Sequence, residues 1–329
     1  MCIALISTAH PSYRLIVIDN RDEYLRRPTA PVEWWPSPHS GILGGRDLAR
    51  ATQGTWMGVT KSGKIAVLTN YRESTSDPAT GQQSRGAIVT NWLTRPDDSP
   101  TLSHVEEMVD SPTARNVGGF SLVCGYVHEP LAIVSNRSST LDQVTWIATE
   151  HGQTKGLSNT VFDDRSWPKI LEGEKLVDQA ISAHVQNDED EDALIHRLLD
   201  LLCTDSLPQL SDDATAEDYL PYFRQSIFIP LIGTQESLKA PGPETSMTSG
   251  SSLCKEAPGQ GHGEGAGAGS DLLDKSFLNG PYGTQKQTVI LVGIDDRVRY
   301  FERSLYDRDA NPVAAGQGDK SFEFYISRD

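Results

Sequence analysis

A chain of 329 residues with 37% hydrophobic residues can bury one large core or two small ones. Its formal net charge of −16 argues against a nucleic-acid partner, which needs clustered Lys and Arg. No apolar run approaches the ~18 residues that cross a membrane, and the N-terminus lacks the charged and apolar regions of a signal peptide.

The chain opens with two apolar runs, Ile3 to Ile6 and Leu15 to Ile18, joined by His10-Pro11-Ser12-Tyr13. This pattern predicts a hairpin of buried strands at the terminus. A terminus is normally frayed and polar, so one this apolar belongs inside. Cys2 follows the initiator methionine. If Met1 is trimmed, Cys2 carries both a thiol and a free α-amine, and the amine can take the thiol's proton. The return strand delivers Arg21 and Asp22 near that terminus. The guanidinium there favours a thiolate, and the carboxylate orients the amine or a substrate. From residue types alone, Cys2 reads first as a small buried hydrophobe and Arg21-Asp22 as a strand-end ion pair.

Glu33 to His39 reads as an irregular Trp-Trp-Pro strap, and Gly44-Gly45-Arg46-Asp47 as a turn. Gln53 to Thr60 and Lys64 to Tyr71 form a second predicted hairpin, with Gly63 supplying the positive φ. It ends on Asn70, either turn chemistry or an amide donor for an oxyanion. Residues 71–84 are polar and turn-rich. Helices are predicted over Ala87–Leu93 and Leu102–Met108. Strands are predicted over Phe120–Val127, Leu131–Asn136 and Val144–Thr149. Gly156-Leu157-Ser158-Asn159 again ends an apolar piece on Asn. Ser166-Trp167-Pro168 opens a helix with Pro in its first turn, with Ile170, Leu171, Val177 and Ile181 on one face. Ala193 to Cys203 is a stronger amphipathic helix, and the acidic run Asp188 to Asp192 suits its N-terminus. Ser226 to Ile229 returns to strand.

Residues 234–280 are rich in Gly, Ser and Pro and cannot bury enough apolar surface to order themselves. Their glycines lack the preceding strand and following helix of a phosphate loop. Strands resume at Thr288–Gly293, Val298–Arg303 and Phe322–Ile326. The four cysteines (Cys2, Cys124, Cys203, Cys254) are widely spaced and read as free thiols in a reducing compartment. The eight histidines form no metal-binding spacing, so no metal or other cofactor is expected. Hairpins with segregated helices imply an α+β chain of two packed, mainly antiparallel sheets covered by helices. This forms a single domain over 1–329, interrupted at 234–280.

Met1-Cys2-Ile3, Asn20-Arg21-Asp22-Glu23, Gly54 to Val59, Leu68-Thr69-Asn70-Tyr71, Gly156 to Asn159, Tyr282-Gly283-Thr284 and Phe301-Glu302-Arg303 together resemble the motif series of the NRDE family. The resemblance implies a four-layer αββα fold like that of N-terminal-nucleophile hydrolases, with distant likeness to penicillin V acylases and bile salt hydrolases. It implies that Cys2 is a nucleophile, that Arg21 lies beside the thiol, and that Asp22 contacts the α-amine. It also implies that Asn70 donates to an oxyanion and that Asn159 supports the site. Asn20, Arg21, Glu23, Tyr71 and Tyr282 are the expected ligand contacts. The implied reaction is hydrolysis of a non-peptide amide or thioester through an acyl-cysteine. Relatives commonly read Tyr-Gly-Thr-Arg where this chain has Gln285, which leaves Lys286 as the replacement cation.

The family is linked to Golgi organisation, protein secretion, and lipid, acyl-CoA and haem handling. The resemblance therefore also implies a second reading. In it, a non-catalytic cytoplasmic protein, associated with Golgi or mitochondria, carries an acyl-CoA, lipid or haem in the same pocket. Arg21 then anchors an anion, and His10 or Cys2 is the candidate haem ligand.

Overall fold

A computed structural model describes residues 1–70, 84–111, 117–162, 164–233 and 280–327. The opening hairpin is β1 (Ile3–Ser7) and β2 (Tyr13–Tyr24). Then come β3 (Thr29–Trp34), β4 (Ile42–Asp47), β5 (Met57–Thr60) and β6 (Lys64–Asn70), followed by helices α1 (Gly86–Leu93) and α2 (Thr101–Asp110). Next are β7 (Phe120–Tyr126), β8 (Leu131–Ser135), β9 (Thr145–Ile147) and β10 (Thr154–Ser158). Three helices follow: α3 (Pro168–Gln186), α4 (Glu191–Leu202) and the single turn α5 (Ala216–Tyr219). The described chain closes with β11 (Tyr282–Gly293), β12 (Arg297–Ser304) and β13 (Asp319–Tyr325).

The strands make two antiparallel sheets. One has six strands in the order β10-β1-β2-β11-β12-β13, and the other has seven, β3 through β9 in sequence. Strand alternation divides the apolar residues into three layers. Ala4, Ile6, Leu15 and Val17 meet Val59, Val67 and Val123 between the sheets. Ile3, Leu5, Ile16 and Ile18 face outward onto Val177, Ile181, Leu198 and Leu199 of α3 and α4. Ala66, Leu122 and Cys124 face the other way, onto Val89, Trp92 and Val105 of α1 and α2. The expected four layers, helix-sheet-sheet-helix, are therefore present.

The periodicities place most elements correctly, and Gly63 takes its positive φ at +88°. Asp190 caps α4 by accepting from the Ala193 N–H at 2.9 Å. Four readings need correction. The Trp-Trp-Pro strap begins as β3. Gly44-Gly45 is not a turn but lies inside β4. A Cβ at Gly44 would sit 2.7 Å from the Met57 carbonyl oxygen, and one at Gly45 would sit 2.7 Å from the Trp56 ring, so close packing selects these glycines. Ser226 to Ile229 is buried but is no strand. The Ile227 carbonyl accepts from the Asn20 amide, the Ile229 N–H donates to the Thr284 hydroxyl and the Thr284 N–H returns to the Ile229 carbonyl at 2.8 Å, so side-chain bonds and isolated backbone bonds take the place of a regular ladder. Leu171 is exposed, while Ile170, Val177 and Ile181 are buried. Residues 71–83 and 234–279 lie outside the described residues. Among those described, no helix is long and apolar enough to cross a membrane.

The candidate active site

The space between the sheets is apolar at one end and charged at the other. The inner face of β2 runs Leu15, Val17, Asp19, Arg21, and that of β12 runs Val298, Tyr300, Glu302. The charged end is where the chain begins. Ile3 pairs with Asn20 on one side and Ser158 on the other. Extending that register by one residue sets Cys2 beside Arg21 on the inner face.

The terminus sits in a socket built from three strands and a helix. The Met1 amine lies 3.2 Å from the buried Asp22 Oδ2 and donates to the Tyr282 hydroxyl. Asp22 Oδ2 has an ionic contact there but no aligned hydrogen bond. Its other oxygen accepts from Thr284 Oγ1 at 2.7 Å. Ser158 Oγ donates to the Cys2 carbonyl at 2.7 Å, and Lys169 Nζ donates to the Met1 carbonyl at 2.6 Å. Tyr282 is held between Phe223 and Tyr24, each with ring centres 5.3 Å away.

The Cys2 thiol faces the Asp22 carbonyl at 3.7 Å. Burial pushes it up to about 11, against the pull of the nearby terminal ammonium. With Met1 attached, it is a protonated and poorly nucleophilic thiol. Asp19 is also buried and pushed up to about 8, by desolvation first and the Asp22 carboxylate second. One of its oxygens has no hydrogen-bond partner.

Arg21 is buried with its guanidinium 4.3 Å over the Trp56 ring. It donates to Gln285 Oε1 and lies 3.8 Å from Glu23. Gln285 falls at a bulge between Thr284 and Lys286, which turns its amide toward Arg21. Lys286 is engaged away from Arg21. Its ammonium pairs with Glu302 at 2.7 Å and Ser304 at 3.1 Å.

Asn70 ends β6 opposite Phe120. Its neighbour Thr69 donates to the Ser158 carbonyl at 3.0 Å, which ties this strand end to the turn holding Asn159. Asn159 is buried and its amide oxygen has no partner. Glu23 is half-buried between Arg21 and Arg27, the latter at 3.6 Å. Asn20 departs from its expected role as a ligand contact. Its amide donates to the Leu202 and Ile227 carbonyls at 2.7 and 2.9 Å, so it clamps the helical layer. Tyr71 lies outside the described residues.

His10 is not available as a haem ligand. Its Nε2 lies 3.0 Å from His184 Nδ1, and its Nδ1 accepts from the Ser12 N–H at 3.0 Å. Among the described residues, no cluster of three or more His, Cys, Asp or Glu is placed to hold a metal. Thr284, Ser158, Asp19 and Lys169 were not anticipated as site residues.

Residues 1–307 match the model of the family described as Transport and Golgi organisation 2. The human protein named Transport and Golgi organization protein 2 homolog is 28% identical over 299 residues, covering 91% of this chain and 89% of the human one. The mouse protein of like name is 26% identical, covering 91% and 90%. Among solved structures, penicillin V acylase from Agrobacterium tumefaciens superposes with a TM-score of 0.47 at 11% identity, over 99% of this chain and 86% of the acylase.

Proposed function

Because the chain belongs to the Transport and Golgi organisation 2 family, whose name ties its members to the Golgi, we propose that it hydrolyses a small amide or thioester through Cys2 once Met1 is removed. The observation that carries this reading is the buried socket at the terminus. A carboxylate with no solvent exposure lies 3.2 Å from the amine, with the Thr284 and Tyr282 hydroxyls around it. Burying a carboxylate costs several kcal/mol unless it is compensated, so a site that spends one on a chain end orients that end for chemistry.

In this mechanism the Cys2 α-amine takes the thiol proton. The thiolate attacks the substrate's carbonyl carbon, forming a C–S bond. The Asn70 and Asn159 amides face the developing oxyanion. As the C–N or C–S bond of the substrate breaks, the ammonium returns its proton to the leaving group. The amine then accepts a proton from water as the water attacks the acyl-cysteine, releasing the acid and restoring the thiol. In this mechanism Arg21, held on Trp56 and Gln285, anchors an anionic part of the substrate.

The test is turnover of acyl anilides and acyl thioesters by untagged protein. Saturable hydrolysis that Cys2→Ala abolishes supports the proposal, whereas hydrolysis that survives Cys2→Ala overturns it. A second reading, non-catalytic binding of an acyl-CoA or lipid, is favoured by one observation. While Met1 remains, burial keeps the Cys2 thiol near 11, and the Cys2 nitrogen is tied up in a peptide bond. Acyl-CoA binding that survives Cys2→Ala and fails on Arg21→Ala would select this carrier.

A further inference from the structure

Lys169 is the second residue of α3 and is fully buried. Two features make it a poor structural choice. A cation in a helix's first turn opposes the helix dipole, and a buried ammonium needs an ionic partner. Among the described residues, no carboxylate lies within 4.0 Å of it. Its ammonium instead donates to the Met1 carbonyl at 2.6 Å, with the Trp167 ring 5.9 Å away. That carbonyl is the group that methionine removal deletes.

Bond lengths place Lys169 Nζ within about 5 Å of the Cys2 nitrogen. After Met1 leaves, two amines share one buried site. Lys169 faces the Cys2 thiol and Asp19 and Asp22 of β2, while Tyr282 of β11 and the buried Arg85 beside α1 also act on the thiol. Like charges this close compete for one proton. Burial lowers Lys169 from its ordinary value, partly offset by Asp22 and the Cys2 thiol, but the α-amine shares that burial and starts about 2.5 pH units lower, so the proton stays on Lys169. We propose that Lys169 is a positioning residue that keeps the Cys2 thiol and α-amine one proton short at neutral pH, so that the pair is ready for nucleophilic attack. This inference rests on the hydrolase reading of Cys2 and names the charge that makes it work.

The test needs no substrate. Untagged protein is checked for loss of Met1 by intact mass. The rate of Cys2 alkylation by iodoacetamide is then followed from pH 5 to 10 on the N-terminal peptide. Wild type should show an inflection below about pH 7, against ~8 for an ordinary α-amine. Lys169→Met should move it up by about one to two pH units at this separation, and Lys169→Arg should restore it. A folded Lys169→Met with an unmoved inflection overturns the inference and leaves the hydrolase reading standing. Should neither Lys169→Met nor Lys169→Gln fold, a wild-type inflection at or above pH 8 overturns it. Retained Met1 overturns both. A shifted inflection without turnover of any acyl substrate supports the role of Lys169 and counts against the hydrolase.

Discussion

The tip of the hairpin that carries Cys2, Arg21 and Asp22 is held by two histidines. The Ser12 N–H donates to His10 Nδ1 at 3.0 Å, so His10 Nε2 carries the proton. It donates to His184 Nδ1 at 3.0 Å, and His184 Nε2 then donates to the Asp190 carbonyl at 2.9 Å. A proton added to His10 has no acceptor and opposes this chain. Burial and His184 hold His10 down to about 4, from 6.5. The unfolded chain therefore binds this proton through a window in which the native state does not. Stability rises with pH across that window and is lost as pH falls from about 6.5 to about 4, by about 3 kcal/mol. His10→Gln keeps an N–H for His184 but does not titrate. It removes the acceptor for the Ser12 N–H, which costs about 1 kcal/mol at pH 7. The urea stability curves of wild type and variant should therefore cross near pH 6, with the variant the more stable below it. Curves that stay parallel from pH 7 to 4.5 would refute the neutral relay. His104, also held near 4 by burial, contributes equally to both proteins and cancels.

Asp19 has the opposite sign. Its carboxyl is pushed up to about 8, so the native state holds the extra proton and stability falls as pH rises from about 4 to about 8. Asp19→Asn should remove the decline above pH 6.5, gaining roughly 1.5–2 kcal/mol at pH 8 relative to pH 6.5 in urea unfolding. Thr284→Val removes the donor to Asp22 at 2.7 Å and the acceptor of the Ile229 N–H at 2.8 Å, which should cost roughly 2–3 kcal/mol by the same assay. A cost near zero would mean that Asp22 finds another donor. Gly45→Ala drives a Cβ to 2.7 Å from the Trp56 ring and should destabilise by about 1–3 kcal/mol. It should also displace the tryptophan under Arg21, read as a shift in Trp fluorescence that Gly41→Ala, in open space, does not produce.

The legible parts of this chain were those in which one local pattern decides the outcome. Apolar runs with a Gly63 turn specify a hairpin wherever they fold, and Asp190 with its acidic neighbours specifies a helix start. Cys2, Arg21 and Asp22 could be read together because one hairpin holds all three. The β3–β4 pair was hidden by Pro31 and by Gly44-Gly45, whose role depends on Met57 and Trp56 in adjacent positions that no local window shows. The 226–229 segment misled because burial and strand formation share a composition. Its backbone partners, Asn20 and Thr284, lie more than 50 residues away in sequence. The rest of the site converges from β10, α3 and β11. Of the four residues not anticipated there, Lys169 alone left a local trace, as a cation directly after the helix-opening Pro168, where an acidic residue is the usual choice.

The account depends most on Cys2 being the first residue of the working protein. The direct measurement is the intact mass of untagged protein, before and after a rapid acid quench with an acyl thioester. The account predicts a chain lighter by one methionine, which gains one acyl group that maps to Cys2. A chain that keeps Met1, or a trimmed chain that never acquires the acyl group, would contradict it.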